Sequence, residues 1–580
     1  MTEVGARRRS RWGIRVAALL MVAVAAGLGA VALRGALEFA TPRLLGAVLA
    51  LHPVEGGLWE PTQVLAHDRR VALLPVMVAA GMVLAVLFSR CKGTSVDRTD
   101  RTLANGTDRT PVNGTDRTPV NGTDRTPVNG TDRTPVNGTD GVIAAINGRD
   151  LAGLDTRGAV VKLAGTTVTL GAGGSGGTEG PVVQVSASLA AVVARRLRLS
   201  AGESGLLVAA AMGAGVAALF QAPIGGALLA GELLRRRGID WTALIVAIPA
   251  AVVAFGVFVS VYGYRPLFGA ARLGGVGSWT SLALLAATGL SCGLLARVYV
   301  WTFGSTGRVL APLRRWPIVA AAVGGAAVGA VGILVPMTLG TGYGSVAAEL
   351  SEVRVAAIPL WVLAILPLVK IAATAVTLQS GGVGGVFGPA MVIGASAGAL
   401  CWRLAVAAGA HPGPVALFAL TGLAATLGPA VRAPWAALLL ATEASGNLLP
   451  PLGMLLGVAV AYRCAGDATL FPSQLNAQFP RRYRQLEVSV MLKSAAGVNR
   501  RWADRMVGGV WSRHRKRSDP PGGGCAMEPE MARGVPDLSD ISLDVLARSD
   551  RPDIGQALRI ALARRASAGI IFAGHSAGGA

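Results

Sequence analysis

Charged residues make up only 15% of this chain and aromatic residues only 5%. So few charges argue against a soluble enzyme, which needs a solvated surface. Basic and aromatic residues are nowhere interleaved, so the stacking platform that a single-stranded nucleic acid requires is missing, and nucleic acid is not an expected partner. The five cysteines, Cys91, Cys292, Cys401, Cys464 and Cys525, are scattered without a CxxC pair, and the five histidines lack metal-ligand spacing. Neither a disulfide framework nor a metal site is indicated, and no cofactor is implied.

Apolar residues are abundant. They account for 52% of the 580 positions, and they recur in runs long enough to cross a bilayer, about 18 residues or more. The chain reads as an all-α polytopic membrane protein with the lipid bilayer as its solvent. Its net charge of +22 is concentrated at the ends: five Arg against one Glu in residues 1–15, and eleven Lys or Arg against two acids in residues 481–517. Basic flanks of apolar segments mark the cytoplasmic face, so both termini are expected inside the cell membrane, with an even number of crossings between them. The apolar run at 16–33 follows a basic segment as a signal peptide would. It is long, has no clear small-residue cleavage site and precedes many further spans, so it reads as a retained helix. A second helix at 71–88 ends at Arg90 and Lys92, returning the chain to the cytoplasm.

There the composition changes. "NGTDRTPV" occurs four times in tandem over 105–136, and a fifth copy begins at Asn137 and runs into "NGTDGVIAAI". Each unit balances Asp against Arg and offers almost nothing to bury, which predicts an extended, solvated linker. Its Asn-Gly-Thr sequons would not meet a glycosylating enzyme on the cytoplasmic side. A slippage-generated expansion without a function of its own accounts for the array.

Beyond the array lies an internal repeat. "VKLAGTTVTLGAGGSGGTEGP" at 161–181 and "VKIAATAVTLQSGGVGGVFGP" at 369–389 share thirteen of twenty-one residues at an offset of 208. "APIGGALLAGE" at 222–232 and "APWAALLLATE" at 433–443 share six of eleven at an offset of 211. The membrane part is therefore expected to be two homologous halves. Apolar segments broken by Gly and Pro at corresponding places predict a transporter-type architecture of two inverted-topology repeats, with tilted and discontinuous helices and a binding site where the breaks meet. Glycines that merely let helices pack closely are the competing explanation. The expected organisation is a basic cytoplasmic N-terminus over 1–15 and first transmembrane helices over 16–92, then an octapeptide-repeat linker over 93–138. The rest of the first half follows over 139–265, the second half over 276–478, and a basic, then low-order cytoplasmic tail over 479–580.

A proline in the first helical turn, preceded by glycines, leaves N–H groups pointing into the gap. Two such N-termini aimed at one point bind an anion without a lysine, and loosely enough to let it leave. Glu179 lies in the first break. Its carboxylate is itself a ligand for such a site: bound when ionised, gone when protonated or displaced. The matching position in the second half is Phe387, which brings a backbone N–H and an apolar wall.

These motifs resemble the CLC chloride channel and transporter family. "GTEGPVVQ" looks like its GxEGP motif and "GGVFGP" resembles its GxFxP motif; "FQAPIGGALLAGE", "RAPWAALLLATE", "GTGYG" at 340–344 and "FPSQL" at 471–475 follow in the family's order. The resemblance covers roughly residues 10–478. It implies a homodimer with one pathway per subunit for chloride or a similar anion, gated by Glu179. It also implies an anion site built from Thr139, Gly177, Thr178, Gly180, Pro181, Gly385, Val386, Phe387 and Gly388.

Three departures from the family pattern stand out. The first anion motif, usually Gly-Ser-Gly-x-Pro, is matched by "GTDGV" at 138–142, where Thr139 replaces the hydroxyl donor and Asp140 is unwelcome unless its carboxylate points away. Proton-coupled members carry a second glutamate after the position of Glu232; here it is Leu233, which carries no proton and favours passive conduction, with proton-coupled antiport as the alternative. The tyrosine that closes the inner side aligns with Leu448. Glu232 and Glu443 also read simply as helix-end carboxylates beside basic loops such as Arg235, Arg236 and Arg237.

The last residues, "AGIIFAGHSAGGA" at 568–580, read as a strand running into a nucleophile elbow with Ser576. An acid and a histidine would have to follow, and only four residues remain, so the hydrolase stays a remote alternative and no enzyme is expected.

Overall fold

In a computed structural model, residues 3–46, 69–90, 138–269, 271, 273–274 and 278–475 are described. The octapeptide copies at 105–136, the whole tail over 479–580 with Cys525 and Ser576, and Cys91 lie outside them.

The described residues form seventeen α-helices and no strand. Eight helices are long and apolar enough to cross a membrane. The chain is thus a multi-pass membrane protein. We number the helices in chain order: α1 (Glu3–Thr41), α2 (Leu74–Arg90), α3 (Gly138–Gly148), α4 (Thr156–Gly171), α5 (Glu179–Arg196), α6 (Ala201–Phe220), α7 (Pro223–Glu232) and α8 (Trp241–Tyr262) form the first half. The second half contains α9 (Trp279–Val309), α10 (Pro317–Leu334), α11 (Tyr343–Glu349), α12 (Glu352–Ala357), α13 (Leu360–Gln379), α14 (Phe387–Ala407), α15 (Val415–Val431), α16 (Pro434–Ala444) and α17 (Leu452–Cys464). Each half opens on an overlong helix, 39 residues in α1 and 31 in α9. About 20 residues suffice to cross a bilayer at right angles, so both have length for a tilt.

Local chemistry sets the helix boundaries. Asp155 caps α4 by accepting from the Gly158 amide. Ser200 and Glu203 form a reciprocal capping box on α6, and Asp240 accepts from the Thr242 and Ala243 amides to start α8. The short helices α7 and α16 both begin with proline in the first turn, where its missing N–H costs nothing. Each is preceded by a left-handed residue, Gln221 at φ 54° and Arg432 at φ 58°, at the 211-residue offset found in the sequence.

The two halves are related by a two-fold axis that can be read from reciprocal hydrogen bonds. Gly177 and Gly385, 208 positions apart, form an antiparallel bridge: Gly177 N donates to Gly385 O at 2.8 Å and Gly385 N to Gly177 O at 2.7 Å. Thr169 Oγ accepts from Val383 N, and its counterpart Thr377 Oγ accepts from Ser175 N, both at 3.1 Å. Equivalent residues facing one another antiparallel require an axis that reverses chain direction. The repeats are therefore inverted.

α14 and α15 cross backbone to backbone: a Cβ at Gly394 would collide with the Gly422 carbonyl, and one at Gly422 with the Gly394 carbonyl. Glycine here does serve close packing, as the competing explanation held, away from the breaks themselves.

Candidate functional site at the broken helices

α4 stops at Gly171 and α13 at Gln379; after each break the chain restarts as α5 at Glu179 and as α14 at Phe387. The Gly177–Gly385 bridge brings both restarts to the axis of the molecule. Glycine at 177 is required by space: a Cβ there would collide with Glu179 Oε2 and lie 2.9 Å from Gly388 N.

Glu179 is 0% exposed. Its Oε2 accepts from the Gly388 amide at 3.2 Å, and its Oε1 from Thr178 Oγ at 3.4 Å. A carboxylate from the first half thus lies on the N-terminus of a helix of the second, where orphan amides and the helix dipole favour a negative charge. Both bonds are long, and the backbone N–H groups of Thr178 and Glu179 also bear on the carboxylate, so backbone donors of both restarts converge on it. Thr178 Oγ is also 3.5 Å from the Tyr343 hydroxyl, whose ring packs edge-on against Phe220 and Phe268 at 6.2 and 5.9 Å.

Phe387 is fully buried, with its ring centroid 5.7 Å from that of Phe471. Val386, the N-cap of α14, has its carbonyl 3.3 Å from the Tyr299 hydroxyl. Gly180, Pro181, Gly385 and Gly388 are buried at the two restarts. Thr139 is buried, and a Cβ on Gly180 would come within 3.5 Å of its Oγ, so the start of α3 reaches the first turn of α5. The carboxylate of Asp140 is turned aside: it accepts from Ser473 N and Ser473 Oγ, each at 3.0 Å. Asp140 thereby holds the segment that carries Phe471.

One expectation is corrected. Leu448 is not brought to the site; it is 75% exposed in the loop between α16 and α17. The neighbouring Asn447 ties that loop to the far side through a bond from Nδ2 to Ala271 O, 2.9 Å. The aromatic side chain against Phe387 is Phe471, from the "FPSQL" segment. Glu232 and Glu443 lie in the last turns of α7 and α16; of the arginines that follow Glu232, Arg235 binds Asp240 at 2.6 Å and Arg237 binds Asp467 at 2.7 Å. Glu232 accepts from Ala436 N at 2.8 Å, while Glu443 accepts from Ile224 N at 3.1 Å and Gly225 N at 2.6 Å. Each carboxylate at the end of one short helix caps the start of the other. Leu233 is buried, and its carbonyl accepts from Gln474 Nε2 at 3.0 Å.

Lys370, buried at the position matching Lys162, donates from Nζ to Thr338 O at 2.9 Å and Gly340 O at 3.0 Å. Gly340 in turn bonds Gly173 and Gly176, so this lysine braces the first break. Tyr299, Tyr343, Lys370 and Phe471 were missed from the sequence. The shared "VK" of the repeats was a signal for Lys370, and the "GTGYG" and "FPSQL" motifs contain Tyr343 and Phe471; nothing local marked Tyr299.

The profile of the voltage gated chloride channel family matches residues 130–466 of this chain. The chain belongs to the CLC family. A ClcB-like chloride channel protein of Ralstonia nicotianae is 31% identical over 328 residues, covering 55% of this chain and 74% of that protein. Among solved structures, a CLC-type fluoride/proton antiporter superposes with a TM-score of 0.59 at 20% identity, over 82% of this chain and 100% of the other. A slow cyanobacterial Cl⁻/H⁺ antiporter gives a TM-score of 0.59 at 19% identity, over 78% and 94%. At that identity the structures speak for the fold, and the CLC fold is what the reciprocal bonds across the two breaks describe.

Proposed function

We propose that this CLC protein carries chloride, or a similar small inorganic anion, across the cell membrane, with one pathway in each subunit of a homodimer. The observation that carries the proposal is the place of the Glu179 carboxylate on the α14 N-terminus. A group of the same charge as the cargo sits where the cargo would bind, so the two exclude one another. The ionised side chain closes the path. Protonation removes its charge and with it the attraction to Gly388 N–H, and an anion takes its place.

Thr139, Gly177, Thr178, Gly180, Pro181, Gly385, Val386, Phe387 and Gly388 line the path in this account; Leu448 is replaced by Phe471. Amides and hydroxyls do the binding, so the anion is held by partial charges and can leave. The basic ends of the chain support cytoplasmic termini. Proton-coupled antiport is the second reading, because Glu179 must take up a proton to open. Leu233 and the capping role of Glu232 leave no carboxylate free at that end of α7, which favours passive conduction.

The test is purified protein in liposomes, with chloride efflux and internal pH followed together. Chloride flux without uphill proton movement is the expected result. Stoichiometric proton pumping would establish the antiporter, and no flux of either ion would sink both readings.

A further inference from the structure

Among the aromatic side chains at the restart of α14, Phe387 and Phe471 present only rings, whereas Tyr343 brings a hydroxyl to Gly388 and Tyr299 brings one to Val386. Tyr299 stands on α9, is fully buried, and packs edge-on against Phe303 at 6.5 Å, which fixes the ring. Its hydroxyl donates to the Val386 carbonyl at 3.3 Å, and that carbonyl also accepts from Ala390 N at 3.3 Å. Two donors sharing one acceptor at long range leave the phenol weakly engaged. Val386 lies two residues before Gly388, whose amide holds the Glu179 carboxylate at 3.2 Å. A phenol O–H turns about a single torsion, so redirecting it requires no movement of the ring.

We propose that Tyr299 is a specificity-determining residue: when the Glu179 carboxylate leaves, the Tyr299 hydroxyl turns from Val386 to the incoming anion and favours small, strongly hydrogen-bonding anions. This rests on the anion-transport reading above. A phenol that merely satisfied its own hydroxyl on Val386 would fix the N-cap of α14 and leave the choice between anions untouched, so selectivity separates the two roles. Chloride accepts a hydrogen bond strongly; thiocyanate, large and weakly hydrated, does so poorly.

The experiment compares chloride and thiocyanate efflux from liposomes carrying wild type, Tyr299→Phe, Phe471→Tyr and the double variant. Tyr299→Phe is expected to lower the chloride-to-thiocyanate ratio about tenfold, the worth of one hydrogen bond to a charged group. Phe471→Tyr, which adds a hydroxyl on the facing wall, is expected to raise the ratio and to restore part of it in the double variant. A Tyr299→Phe ratio within about twofold of wild type overturns the role of Tyr299. Should Tyr299→Phe fail to fold, wild-type protein that passes thiocyanate and chloride within about twofold of one another overturns it equally. Wild-type liposomes that pass neither anion overturn the transport reading itself, a different result from anions that pass with no change in ratio.

Discussion

The Glu179 carboxylate rests on the Gly388 amide, the Thr178 hydroxyl and the backbone N–H groups of its own restart, donors that serve a competing anion equally well. The glycine before Glu179 has a different role: Gly177→Ala would drive a methyl into the carboxylate and the facing amide, and flux should fall to background in liposomes even where the protein still assembles. Asp140 illustrates what sequence could and could not supply. An acid beside an anion path was legible as a problem, but its solution, two bonds to Ser473 more than three hundred positions away, was not. The same distance hid Phe471, because the count forward from Glu443 to Leu448 assumed that the chain stays near the site after α16. Asp140→Ala should cost about 1–3 kcal/mol, through loss of charge-assisted bonds to a partly buried partner. Thermal unfolding in detergent measures it, and an unchanged midpoint would mean that Ser473 is held by something else.

At the scale of elements, discontinuous helices work because each loose end finds a partner across the axis. The breaks pair through Gly177 and Gly385, the helices before them through Thr169 and Thr377, and the short helices α7 and α16 through Glu232 and Glu443. A helix N-terminus in an apolar interior needs an acceptor, and each half supplies one to the other. Replacing either glutamate by leucine strands amides at a helix start, at about 1–2 kcal/mol each. We expect Glu232→Leu and Glu443→Leu to lower the unfolding midpoint without altering anion selectivity. A change in selectivity with an unaltered midpoint would return Glu232 to the permeation path. Repeats and breaks were legible because matching segments recur in sequence. Reciprocal capping was not, because a carboxylate at a helix end does not reveal that its acceptor role is to the start of a helix more than two hundred positions away.

For the whole molecule, the inverted repeat explains how a protein with few charges in its membrane part could present the proposed anion site. Two helices start at the bridge between the breaks, and their dipoles would supply the field without a mobile counter-charge. The multi-pass architecture followed from apolar runs and end charges; the offsets of 208 and 211 residues gave the two halves, and the reciprocal bonds gave their inversion. If each subunit of a homodimer holds its own pathway, liposomes with one wild-type and one Glu179→Ala subunit per dimer should show the sum of two independent fluxes. A flux dominated by either subunit would argue for a shared path. The most direct test of the central claim is chloride efflux measured across a range of pH for wild type and Glu179→Ala side by side. The account predicts that wild-type efflux rises as the solution is acidified, while the alanine variant conducts at every pH without that dependence. A variant that keeps the wild-type pH profile would contradict the assignment of Glu179 as the gate.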